Sequence, residues 1–197
     1  MSDTLQSLLQ RVSTPANLLQ EPAPTPEHLV SILQAAVCVP DHAGLRPWRF
    51  IVIQGEALKH LGEVYVASTL QTKPDTPAAE LDSIREKARR APMVVAVVAA
   101  IKANPKVPVR EQILSAGAAA YSILLAANDL GYGSIWLTGR FAEDPYVYKE
   151  LGLKEGEQIV AFVHLGTPGP GAAITRKKIQ NRPKPADYTV EWTGIKQ

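Results

Sequence analysis

Two hydrophobic periods run through the chain and divide it into helices and strands. Leu5, Leu8, Leu9 and Val12 recur at helical spacing and predict a short first helix ending near Ser13-Thr14-Pro15. Thr25-Pro26-Glu27 supplies an N-cap hydroxyl, a proline at the first helical position and an acid suited to the helix dipole. The helix it opens carries Leu29, Val30, Ile32, Leu33, Ala36 and Val37 on its expected buried side and should stop at Pro40. Phe50-Ile51-Val52-Ile53 reads as a buried strand, and Gly55-Glu56-Ala57 opens the next helix. Gln71 to Ala78, with prolines and threonines around Asp75, reads as a flexible segment or lid, and the charged run Glu80 to Arg90 as an exposed helix. Pro92 to Val98 is a continuous apolar run, the pattern of a strand buried on both faces.

Glu111 to Leu130 is the longest helical run and is apolar nearly all round, so it must lie against the sheet or against another subunit. Gly131 is a plausible C-cap. Tyr132 to Leu137 and Gln158 to Leu165 read as two more strands, separated by a helix near Glu143 to Leu151. From Pro168 to the end at residue 197 the chain is rich in Pro, Gly and basic residues, the composition of a tail that wraps a surface or a partner chain. Strands alternating with helices imply an α/β or α+β sandwich with helices over a mixed sheet.

Composition narrows the class. With 197 residues, 46% of them hydrophobic, the chain suffices for one sizeable core and is short for two, so residues 1–197 are expected to form one domain. A net charge of +2 lacks the basic excess of a nucleic-acid binder and favours a small or uncharged ligand. The single cysteine, Cys38, excludes an internal disulfide and fits a reducing compartment. The N-terminus lacks the pattern of a secretory signal, and Met93 to Ala100 is too short to span a bilayer. The expectation is a cytoplasmic protein without a membrane partner.

Several chemistries drop out. The histidines, His28, His42, His60 and His164, have neither close mutual spacing nor nearby cysteines, so a zinc site is not expected. No Gly-x-Gly-x-x-Gly joins a strand to a helix, and neither a phosphate loop of the Walker type nor a Gly-x-Ser-x-Gly elbow is present. What remains is the stretch Pro40-Asp41-His42-Ala43-Gly44-Leu45-Arg46-Pro47-Trp48, a polar turn running into a strand and reading as a ligand-binding loop.

Within these segments several residues have two readings. Arg11 and Ser13 suit a phosphate cradle, or else an exposed helix end with a capping hydroxyl. His42 is a turn residue or a ligand contact, and Arg46 a donor to a ligand or a support of its loop. Trp48 is expected to fill core, and Cys38 to be a small buried apolar residue. Trp136-Leu137-Thr138 is the end of a core strand or the wall of a site. The basic residues Arg176, Lys177, Lys178, Arg182 and Lys184 are expected to be solvated or to wrap a dimer.

Pro-Asp-His followed by Arg-Pro-Trp-Arg-Phe resembles the flavin-binding loop of the FMN-dependent nitroreductases. The likeness extends, in order, through Arg11-Val12-Ser13, Glu21-Pro22-Ala23-Pro24, Lys106-Val107-Pro108, Ser115-Ala116-Gly117, Gly131 to Trp136 and Leu165-Gly166-Thr167-Pro168. It implies a nitroreductase-like α+β sandwich assembled as an intertwined homodimer, with FMN sites at the subunit interface. Arg11 and Ser13 would hold the FMN phosphate and ribityl chain, and His42 would reach the flavin from the partner subunit. Arg46 would meet its polar edge, and Trp136-Leu137-Thr138 would line it. Ala126 to Gly131 falls where nicotinamide nucleotide binding is attributed, and a basic tail residue would touch the phosphate.

At Val12, Cys38 and Leu137 the family pattern has arginine-type contacts, so less positive charge is expected around a reduced ring. The implied activity moves a hydride from NAD(P)H through FMN to a nitroaromatic, quinone or similar small-molecule acceptor, with the chemistry on FMN and no protein acid or nucleophile. Two other readings remain open. One is a flavin-fold enzyme of different reaction, such as reductive removal of a substituent or remodelling of the flavin. The other is a non-catalytic flavin or nucleotide binder, prompted by those three positions.

Overall fold

A computed structural model describes residues 3–176, 182–192 and 194. The central strand shows how the layers form. β3 (Met93–Ala100) is buried along nearly its whole length, and alternate side chains face opposite layers. Val94, Ala96 and Val98 pack with Leu58, Leu61 and Tyr65 of α3 (Glu56–Thr72) and Val147 of α6 (Pro145–Glu150). Met93, Val95 and Val97 pack with Ile32 and Ala36 of α2 (Pro26–Ala36) and with Ala119, Ala120 and Ile123 of α5 (Val109–Asp129). The alanines let α5 lie close on the sheet.

β2 (Trp48–Gln54) pairs with β3, and β3 with the long β5 (Glu157–Pro168). β5 also pairs with β4 (Gly133–Leu137) and, at its far end, with the two-residue β1 (Leu19–Gln20). Every one of these pairings is antiparallel, so the parallel component implied by a mixed sheet is not among them. The helix-flanked α+β sandwich is as expected.

Local chemistry sets the element ends. Thr25 Oγ1 accepts the His28 amide at 3.2 Å and caps α2 as predicted, while Asp144 Oδ1 accepts the Tyr146 and Val147 amides and starts α6. α4 (Ala78–Glu86) is shorter than the charged run suggested, and a 3₁₀ turn over Lys87–Arg89 follows it. The expected lid shrinks to residues 73–77, because α3 continues to Thr72.

Other expectations are corrected. α1 (Asp3–Gln10) stops before Arg11, so Val12 is not helical. α2 ends at Ala36, before Pro40, and Val30 is 67% exposed on its outer face with Val37 also exposed. Cys38 is exposed rather than buried, because it lies in the turn beyond α2. Trp48 begins its strand but is only partly buried. α5 buries one face, whereas Leu114, at 61% exposure, and Tyr121 stand in the open.

Lys177 and Lys178 lie outside the described residues. Arg182 of the tail folds back to donate to the Arg11 carbonyl at 2.5 Å, and Lys184 is exposed. Among the described residues no helix is long and apolar enough to cross a membrane.

Candidate active site

The residues after α1 have no regular secondary structure and reach β4, where the Thr14 amide donates to the Ser134 carbonyl at 2.9 Å. Arg11 Nη1 donates to Ser13 Oγ at 3.3 Å, and the Arg11 guanidinium lies 5.8 Å from the ring centre of Tyr121 on α5. Val12 and Thr14 instead line a separate cavity of about 680 Å³ with Gly131, Gly133 and Pro168. Arg11 and Ser13 therefore act together, and Val12 is not part of their pair.

At the other end of β4 the chain leaves the core. Trp136 packs against α5 beside Gly117, Leu137 is 36% exposed, and Gly139 turns the backbone at a φ of +64°. Trp136 to Arg140 form one wall of a cavity of about 410 Å³. Its floor is aromatic: Tyr65 stacks on Phe141 with ring centres 3.9 Å apart and meets Phe162 edge-on. Its rim is cationic, with Lys87, Arg90 and Arg140 all exposed. Arg140 lies over the Phe141 ring and donates to Thr69 Oγ1. None of these three cations meets an acid among the described residues.

Buried beneath them, His164 is held below the usual histidine pKa. Burial is the main cause and Arg90 adds to it, while hydrogen bonds to the Phe162 and Lys87 backbones oppose it. Burial alone pushes the Tyr65 phenol up. A neutral His164 contributes stability that is present above the unfolded pKa of about 6.5 and lost as pH falls below it. We expect the melting temperature to drop between pH 6.5 and 5, and His164→Gln to flatten that slope. An unchanged slope in thermal melts across this range would assign it elsewhere.

The Pro40–Trp48 loop is anchored on α5. Ser115 Oγ donates to the Pro40 carbonyl at 2.6 Å, and His42 Nδ1 meets Glu111 Oε2 at 2.7 Å. The Asp41 carboxylate accepts the Leu45 and Arg46 amides at 3.1 and 2.7 Å. Ala43 and Arg46 hold left-handed φ values of 62° and 50°. Such strain costs on the order of 1–3 kcal/mol per residue and is common where a loop serves a ligand.

Glu111 and Tyr121 are separated by about 15 Å along α5 at the helical rise per residue. Within one chain, His42 and Arg46 therefore stand apart from Arg11. Cys38 lines neither cavity; its Sγ accepts from Gln34 Nε2 at 3.9 Å.

The structure thus joins Arg11 with Ser13, and Trp136, Leu137 and Thr138 with each other. It leaves Val12, Cys38, His42 and Arg46 outside both groups. Lys87, Arg90, Arg140, Tyr65 and His164 escaped the sequence reading. The available signal was basic residues flanking two strands, at Lys87–Arg90 before β3 and Arg140 after β4. Among the described residues, no group of three or more His, Cys, Asp or Glu is placed to hold a metal.

This architecture is that of a helix-flanked antiparallel sheet with an aromatic, cation-rimmed cavity at one strand end. The chain belongs to the Nitroreductase family, whose profile matches residues 8–167. It is 40% identical over 166 residues to the Escherichia coli K12 protein named "Putative NAD(P)H nitroreductase YdjA", covering 84% of this chain and 88% of that one. Among solved structures, a nitroreductase-like family protein from Bacillus cereus matches with a TM-score of 0.78 at 20% identity, over 98% of both chains. A nitroreductase with bound FMN from Bacteroides fragilis matches with a TM-score of 0.66 at 21% identity, over 100% of this chain and 99% of that one.

Proposed function

We propose that the chain is an FMN-dependent oxidoreductase that takes a hydride from NAD(P)H and passes electrons to an electron-poor small molecule such as a quinone or nitroaromatic. The observation that carries this reading is the cation-rimmed aromatic cavity beside Trp136-Leu137-Thr138, in a chain of the Nitroreductase family. A flat heterocycle that becomes anionic on reduction suits an aromatic floor with positive charge at its edge. FMN, when bound, supplies the hydride and electron chemistry itself.

The protein's own residues bind and orient. Arg11, steadied by Ser13, offers a planar fork of donors to the phosphate. Thr138 and Gly139 present backbone to the ring, while Lys87 offers a charge to its polar edge. Lys87 offsets part of the loss of arginine-type contacts at Val12, Cys38 and Leu137, which favours a catalytic protein over a passive binder. The reduced flavin is then not as poorly stabilised as the sequence alone suggested.

The working unit is a single domain used as an intertwined homodimer in the cytoplasm. His42 and Arg46 lie on a loop anchored at the Glu111 end of α5, away from Arg11 at Tyr121, and in this reading they serve the flavin of a second copy. The protein is expected to purify yellow with about one FMN per subunit, measured from its visible spectrum. A colourless protein that takes up no added FMN would overturn the reading.

A further inference from the structure

We propose that the rim formed by Lys87, Arg90 and Arg140 selects flat electron acceptors that carry a carboxylate, such as quinone or nitroaromatic acids. This rests on the flavin reading above and names its substrate class. A reduced flavin ring carries at most one negative charge, and its phosphate is assigned to Arg11, away from this cavity. The cavity nevertheless gathers three cations.

Several acids flanking these segments are engaged elsewhere, and exposed Glu143, three residues beyond Arg140, forms no ion pair with it. Glu86 pairs with Arg89, Glu63 and Asp82 pair with Arg85, and Asp144 accepts from Ser68 and the start of α6. Like charges gathered at one rim repel, so two cations beyond the flavin's need call for an anion. Tyr65 also lines the cavity, and its hydroxyl has no hydrogen-bond partner among the described residues, so it is free to donate to a ligand oxygen.

The carboxylate is a spectator in the reaction. Two electrons and two protons convert a quinone acid to its hydroquinone. NAD(P)H supplies the hydride, solvent supplies the second proton, and NAD(P)⁺ is the oxidised product. Because the same face would serve the donor and then the acceptor, the rim also governs which acceptor enters the oxidative half-reaction.

The test is equilibrium binding without turnover. The FMN-loaded protein is titrated, in the absence of NAD(P)H, with 4-nitrobenzoate and with neutral 4-nitrobenzamide, following the flavin spectrum and the heat of binding. The acid should bind about tenfold more tightly, the lower end for a hydrogen bond to charged groups at an exposed rim. Arg140→Gln should close that gap. Arg90→Gln, at an exposed site with no hydrogen bond to lose, should narrow it and guards against a folding defect in the first variant.

Equal binding of acid and amide, or a gap that survives both substitutions, would overturn the proposal. Displacement of 4-nitrobenzoate by ADP-ribose would assign the cations to the donor's pyrophosphate and also overturn it. If the protein takes up no FMN yet calorimetry still finds the preference for the acid, the functional reading fails and the anion site stands.

Discussion

Replacing Arg11 with Ala should weaken FMN binding by about 1.5–3 kcal/mol, the range for a hydrogen bond to a charged group and equal to roughly 10- to 150-fold in affinity. Arg11 is well placed for such an effect. Ser13 Oγ accepts from its Nη1, the Tyr121 ring lies beneath its guanidinium, and the Arg182 side chain secures its carbonyl. A side chain already held in place loses less entropy when it grips a phosphate. Ser13→Ala should cost less, because it removes a support and leaves the charge. Val12→Ala should change affinity little, since Val12 faces the other cavity. A fluorescence titration of the flavin-free protein reads all three. Equal affinity of wild type and Arg11→Ala would take this residue out of the phosphate cradle.

The contrast between Arg11 and Val12 shows what a sequence discloses and what it withholds. Local chemistry was legible: the Thr25-Pro26 start of α2, the doubly buried run of β3 and the long α5 all depend on near neighbours. So was the turn before β2, where Asp41 caps amides within five residues of itself. Side-chain direction in the Arg11–Thr14 segment depends on where α1 stops, which the helical spacing of Val12 obscured. Lys87 and Arg90 read as part of a solvated helix, and Arg140 as nothing in particular. Only the sheet pairing, with β5 between β3 and β4, brings these residues around one cavity. Cys38 erred in the opposite direction, because an apolar-looking neighbourhood in sequence became an exposed turn.

The exposed face of α5 carries the second large expectation. Leu114 stands 61% exposed, beside the Glu111 and Ser115 side chains that hold the His42 loop. An apolar residue there, with Tyr121 also open further along the helix, fits a surface covered by a second subunit. Leu114→Asp should therefore split the proposed dimer, because a carboxylate buried at an interface without a partner is strongly unfavourable. FMN affinity should fall with it by tenfold or more, since each flavin would lose the His42 and Arg46 loop of the other copy. Light scattering at micromolar concentration gives the mass and a flavin titration the affinity. The joint loss is the decisive outcome. A variant that becomes monomeric yet binds FMN as tightly as before would show that each site is complete within one chain, and a variant that stays dimeric would move the interface away from α5.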